Sequence, residues 1–172
     1  MSLTDRMIRA AKLDATLYEE VEADRSAFRQ AMGVVVISSV AAGIGGLSTY
    51  GSAGLLTATA TALVGWFIWA YLTYIIGTKV LPEPQTEADY GQLLRTIGFS
   101  SAPGVIRILG IIPLLFGIVT VIANVWMLIA MVIAVRQALD YTSTLRAVGV
   151  CIIGWIVQAV LFVLLFVAVG AG

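Results

Sequence analysis

The stretch RTIGFSSAPGVIRILGIIP, Arg95 to Pro113, decides the fold, because it is the doubtful fifth crossing of a very hydrophobic chain. It carries two serines, two prolines, three glycines and two arginines. Pro103 removes a backbone donor, Ala102 before it is biased away from helical geometry, and Gly104 lowers helix propensity further. The expectation is a span over about 91–109 that is kinked or broken at Pro103–Gly104. Carbonyls freed around Phe99 to Ser101 then need partners inside a bundle, and the Ser100 and Ser101 hydroxyls can supply some of them. Such breaks line sites in transporters and also serve packing, so both readings stand for Phe99, Ser100, Ser101, Pro103 and Gly104.

The flanks are clearer. Sixty per cent of the residues are hydrophobic and 12% are charged, far from the balance of a soluble domain. No charge occurs from Ala31 to Thr78, from Ile108 to Val135, or from Ala147 to the C-terminus. A crossing needs roughly 20 apolar residues, so the first run holds two and each of the others one. The fold class is therefore all-α, a polytopic transmembrane helical bundle of five spans at about 31–48, 53–77, 91–109, 111–135 and 147–170. Residues 1–30 form a short cytoplasmic segment and 31–172 one membrane domain. No apolar core before a small-residue cleavage site is present in that segment, so the first span is expected to act as the targeting signal.

Ser2 to Asp5 offer a capping pattern, and Leu3, Met7, Ala10 and Ala11 then fall on one helical face with Arg6, Arg9 and Lys12 on the other. This helix either lies in the membrane plane or is a solvated helix. An acidic patch with a neighbouring tyrosine follows, Tyr18, Glu19, Glu20, Glu22 and Asp24, either a partner-binding surface or a solvated face. Ser26 is the expected cap of span one. The Gly-rich run Gly45–Gly54 supplies a tight hairpin. Trp66, Phe67, Trp69, Tyr71 and Tyr74 are expected as interfacial anchors at the end of span two. Nine of the ten Lys and Arg residues flank the side that carries the N-terminus, leaving Arg107 alone on the other. The positive-inside rule then puts the N-terminus in the cytoplasm and the C-terminus outside.

Several chemistries are excluded. There is no histidine, and Cys151 is the only cysteine and lies in an apolar run, where it packs as a small hydrophobe. Zinc sites and cysteine or histidine nucleophiles are ruled out, no metal site is expected, and neither a phosphate loop nor a Gly-x-Ser-x-Gly turn is present. No cofactor is expected, and zero net charge without a basic block argues against nucleic acid. No carboxylate sits at membrane depth, as proton coupling usually requires.

Polar groups remain at depth. Asn124 lies twelve residues before Arg136 and Gln158 twelve after Arg146, which puts both amides about 18 Å from one interface, a candidate intramembrane hydrogen-bonded pair. Gly54, Thr57, Ala58, Thr61, Ala62 and Gly65 make a small-residue face that suits packing against span one or against a second copy. Arg107 has no acid in reach. It must snorkel to headgroups, bind a lipid phosphate or meet a partner's acid.

The segments LYEEVEADRSAFRQAM (from Leu17), TIGFSSAPGVIRILGIIP (from Thr96) and AVRQALDYTSTLRAVGV (from Ala134) resemble the Yip family, small five-span membrane proteins of the Ypt/Rab-interacting group. The most specific part is Phe99 to Gly104. The resemblance implies a cytosolic N-terminus and, in eukaryotic members, early secretory membranes, Rab GTPase partners and vesicle traffic. It supplies no catalytic residues. Eukaryotic members carry an Asp-Leu-Tyr-Gly-Pro motif in a long N-terminal region, where this chain has only Leu17, Tyr18 and Glu19. The compact form resembles the prokaryotic branch, which implies the cell (inner) membrane. The expected function is a non-enzymatic scaffold or adaptor that organises membrane lipids, protein partners or a homo-oligomer. The alternatives are a transporter or channel for a small neutral or anionic solute, using Ser100, Ser101, Asn124, Gln158 and Arg107 as a polar path, and an accessory subunit of a larger complex.

Overall fold

The computed structural model describes residues 1–47, 51 and 53–170, with backbone alone at 53–58, 162 and 164–170. Among these residues every regular element is helical. Two short helices lead, α1 (Leu3–Ala11) and α2 (Ala15–Ala23), each started by a side-chain cap. Ser2 accepts the Asp5 N–H and Asp14 accepts the Thr16 N–H.

Among the described residues four helices are long and apolar enough to cross a membrane: α3 (Ala27–Gly45), α4 (Ala53–Ile75, continued by a π-helical turn Ile76–Val80), α6 (Phe116–Ala138) and α7 (Thr144–Gly170). Helix α3 starts a turn earlier than the charge-free run, and the Ser26 hydroxyl bonds to Asp24 instead of capping it. Ser48 to Tyr50 and Ser52 of the expected hairpin, and the last two residues, lie outside the described residues, as do the side chains of Thr57 and Ala58.

The stretch from Arg95 to Pro113 departs from a plain helix. Helix α5 (Tyr90–Phe99) begins with a reciprocal cap: the Asp89 carboxylate accepts the Gln92 N–H, and the Gln92 side chain accepts the Asp89 N–H. It ends at Phe99, and Ala102–Ile111 runs on as ten residues of 3-10 helix. An α-ladder through Pro103 would need an N–H that proline lacks, directed at the Phe99 carbonyl. The Gly104 N–H instead reaches back three residues to Ser101 O, at 2.9 Å. The α-ladder thus stops before the proline and not at it. Four-residue bonding returns late as well. Leu115 bonds to Ile112 and Phe116 to Pro113 as turns, so α6 starts at Phe116 and not at the expected Ile111.

The N-terminal helices are packed onto the bundle. Arg6 is 8% exposed and joins Asp24 at 2.7 Å and Gln30 at 2.8 Å. The indole N–H of Trp126 in α6 donates to Ala11 O at the end of α1, at 2.8 Å. Leu17, Tyr18 and Val21 of α2 are fully buried in one core with Leu93 of α5, Val135 of α6 and Leu139 at the end of α6. Each such aliphatic side chain contributes about 1.5–3 kcal/mol on burial. Away from this layer α6 and α7 present wide apolar faces, Ile118, Val121 and Val125 on one and Ile152, Ile156 and Val160 on the other. Such faces suit lipid, not water.

Candidate functional site

The 3-10 segment packs against α3 and α6, and between these elements, α4 and α7 lies a cavity of about 270 Å³. Two glycines make the close approach possible. A methyl group at Gly45 would overlap the Arg107 carbonyl, and one at Gly104 would overlap the Ser38 hydroxyl. The 3-10 segment therefore passes α3 nearly backbone to backbone. The Ser38 hydroxyl donates to Ser101 O at 2.8 Å, so the carbonyl that already accepts the Gly104 N–H is also tied to a neighbouring helix. Ser100 is 2% exposed and turns back to Ile97 O, at 2.7 Å. Phe99 is fully buried in the core.

Arg107 reaches into this cavity. One terminal nitrogen donates to the side-chain oxygen of Asn124, while its Nε is buried without a partner. Trp69 lines the same space, is 6% exposed, and its indole N–H likewise has no acceptor. An orphaned buried donor costs about 1–3 kcal/mol. Ser101 and Gln158 also line the cavity, and no acidic residue does among the described residues. Asn124 is thus held by Arg107, and no hydrogen bond joins it to Gln158 among the described residues. The expected amide pair is not formed among the described residues; the Asn124 amide oxygen accepts from Arg107. A second, apolar cavity of about 520 Å³ lies between α4 and α7, walled by Val64, Ile68 and Leu161, and it shares Gly65 and Gln158 with the first.

The acidic patch is tied to two neighbours, Glu19 and Glu22 to the bundle and Glu20 and Asp24 to α1. Tyr18 is fully buried with its hydroxyl unpartnered. Glu19 accepts from Gln137 at 2.8 Å, Glu20 from Arg9 at 2.8 Å, Glu22 from Gln92 at 3.0 Å and Asp24 from Arg6 at 2.7 Å. Arg95, 6% exposed, donates to the last carbonyls of α2, Val21 O at 2.8 Å and Glu22 O, an arginine cap of a helix C-terminus. Burial pushes the Glu22 carboxyl up to about 7, helped by Asp140 and opposed by Arg95. The opposite holds for Glu83 in the loop after α4. It accepts the Thr142 N–H at 2.9 Å and its hydroxyl at 2.8 Å, and these bonds bring it down to about 2.

Two of the cavity's groups, Trp66 and Trp69, and the loop residue Glu83 escape a reading of the sequence. Trp66 and Trp69 are buried, not interfacial, because with Ala62 they fall on the inward face of α4 while Phe67 and Tyr71 face outward. Trp66 donates to Leu94 O at 3.0 Å. The usable signal was the three-residue spacing of the tryptophans beside a small-residue face, with Ser38 and Ser39 at mid-span. Glu83 had no signal, since its partners lie some sixty residues away.

No curated protein and no solved structure matches the chain. A family model does: the Yip1 domain matches residues 17–166. That range begins in α2, takes in the α5 and 3-10 segment with its Phe99–Gly104 core, and ends within α7. The chain therefore belongs to the Yip family of membrane proteins.

Proposed function

We propose that the protein is a non-enzymatic scaffold or adaptor of the Yip type, organising protein partners or lipids in the bilayer. In this reading the 3-10 segment completes a fifth crossing, the N-terminal helices lie in the cytoplasm, the C-terminus lies outside, and the membrane is the cell membrane of a prokaryote. The observation that carries it is the shared core of α2 with α5 and α6. A surface helix that shares its core with membrane helices transmits a docking event to them directly, which an adaptor requires. The outward side of α2 and the exposed Arg25 supply the docking face.

Photo-crosslinking from Arg25 and Ala23 in native membranes is expected to trap one discrete protein species, and purified protein in proteoliposomes is expected to move no solute. The Arg107 cavity favours a second reading, a transporter or channel for a small neutral or anionic solute. A solute-specific flux abolished by Arg107→Gln and Asn124→Leu would replace the scaffold reading with that one. Stoichiometric co-purification with a transport or enzyme complex would make the chain an accessory subunit instead.

A further inference from the structure

The two adjoining cavities have different chemistry, and together they have the shape of an amphiphile. We infer that they bind one anionic lipid of the bilayer, its oxyanion headgroup against Arg107 and Trp69 and an acyl chain in the groove between α4 and α7.

The headgroup end rests on donors without acceptors. Arg107 brings a positive charge and a buried Nε–H with nothing to bond, and Trp69 brings an indole N–H in the same condition from a side chain that is 6% exposed. The Ser38 and Ser39 hydroxyl protons are already committed to Ser101 O and Val35 O, at 2.8 and 2.7 Å. Asn124 supplies a neutral oxygen and leaves the charge of Arg107 uncompensated. No acidic side chain lines the space among the described residues. A group with several acceptor oxygens and a negative charge answers all of these at once. The volume, about 270 Å³, exceeds that of a single water, whose share of the liquid is about 30 Å³.

The chain end rests on continuity. A free anion needs only the first cavity, yet Gly65 and Gln158 form a wall common to it and to the apolar groove. Gly65 has no side chain to close that wall, and a Cβ there would meet nothing within 4 Å. The groove's other walls, Val64, Ile68 and Leu161, are exposed where the protein faces lipid, so a chain enters from the bilayer without crossing water. This inference stands on the cavities and not on the scaffold reading. Solute flux with the lipid still bound would remove that reading and leave this one.

The test is native mass spectrometry of the full-length protein in detergent, titrated with dioleoyl phosphatidylglycerol, dioleoyl phosphatidylcholine or inorganic phosphate. One phosphatidylglycerol is expected to be retained in preference to phosphatidylcholine. Arg107→Gln should weaken it about tenfold or more, the loss expected for a charge-assisted bond, and Trp69→Phe about threefold to tenfold. Gly65→Leu, which fills open space in the wall common to both cavities and leaves the charge of Arg107 in place, should weaken phosphatidylglycerol severalfold. Arg107→Lys should recover part of the loss. Equal retention by wild type and Arg107→Gln would overturn the site. Equal retention of phosphatidylcholine would reduce it to annular lipid, and full displacement of lipid by millimolar phosphate would make it a free-anion site.

Discussion

Glu22 sits at the seam between α2 and α5, bonded to Gln92 and surrounded by Asp140, Arg95, Glu19 and Asp89. Its folded value near 7 lies above the ordinary 4.5. The seam therefore favours the protonated form, and its contribution is complete below about 4.5 and lost as pH rises through about 7. The Tm in detergent should fall as pH rises from about 5 to 8 for the wild type, and Glu22→Gln should flatten that slope. An unchanged slope in the variant would show that another group titrates. Glu83 works the other way. Its value is depressed to about 2, so its clamp on the α6–α7 connector is present above about 4.5 and lost as pH falls through about 2. Glu83→Gln should lower stability at neutral pH and show a weaker acid limb below pH 4. Neither behaviour was legible in the sequence. Glu22 read as one member of an acidic run, and only the approach of α5 makes it half-buried.

At the scale of elements, the spans with simple apolar runs were legible and the interrupted one was not. Period and charge placed α3, α4, α6 and α7 within a few residues of where they lie, because lipid demands long unbroken ladders. Pro103 announced a break, but not that ten residues would coil as 3-10 helix, a length rarely seen. That outcome depends on partners far away in sequence: Ser38 for the Ser101 carbonyl, and Gly45 for the passage of Arg107. The contact can be tested as a cycle. Gly104→Ala sets a methyl group against the Ser38 hydroxyl and should cost about 1–3 kcal/mol, read as a lower Tm. Removing the hydroxyl as well, in Ser38→Ala/Gly104→Ala, should cost less than the sum of the two single changes. Strict additivity would mean that the two residues do not meet.

At the scale of the molecule, the layer around α2 and the region around the Arg107 cavity are built from different materials. The layer that carries α1 and α2 holds the largest fully buried side chains, among them Leu17, Tyr18, Leu93 and Leu139, together with most of the carboxylates. Leu17→Ala should cost about 2–5 kcal/mol and loosen α2 first, which limited proteolysis near Ala23 would detect. Cleavage no faster than in the wild type would argue that α2 is held by its ion pairs alone. The middle of the bundle holds the Arg107 cavity, and there the sequence was legible only in part. Arg107's lack of an acid partner was visible along the chain, but its bond to Asn124 and its nearness to Trp69 required the fold.

The makeup of that cavity has one more consequence. The chain contains no histidine, the side chain that ordinarily titrates between about pH 5 and 8, and no acid lines the cavity among the described residues. Arginine keeps its proton throughout that range. The Arg107 site is thus deaf to acidity, while the Glu22 seam hears it. Ligand retention should stay constant across pH 6 to 8 while stability shifts, so one titration can report on each half of the molecule without interference from the other.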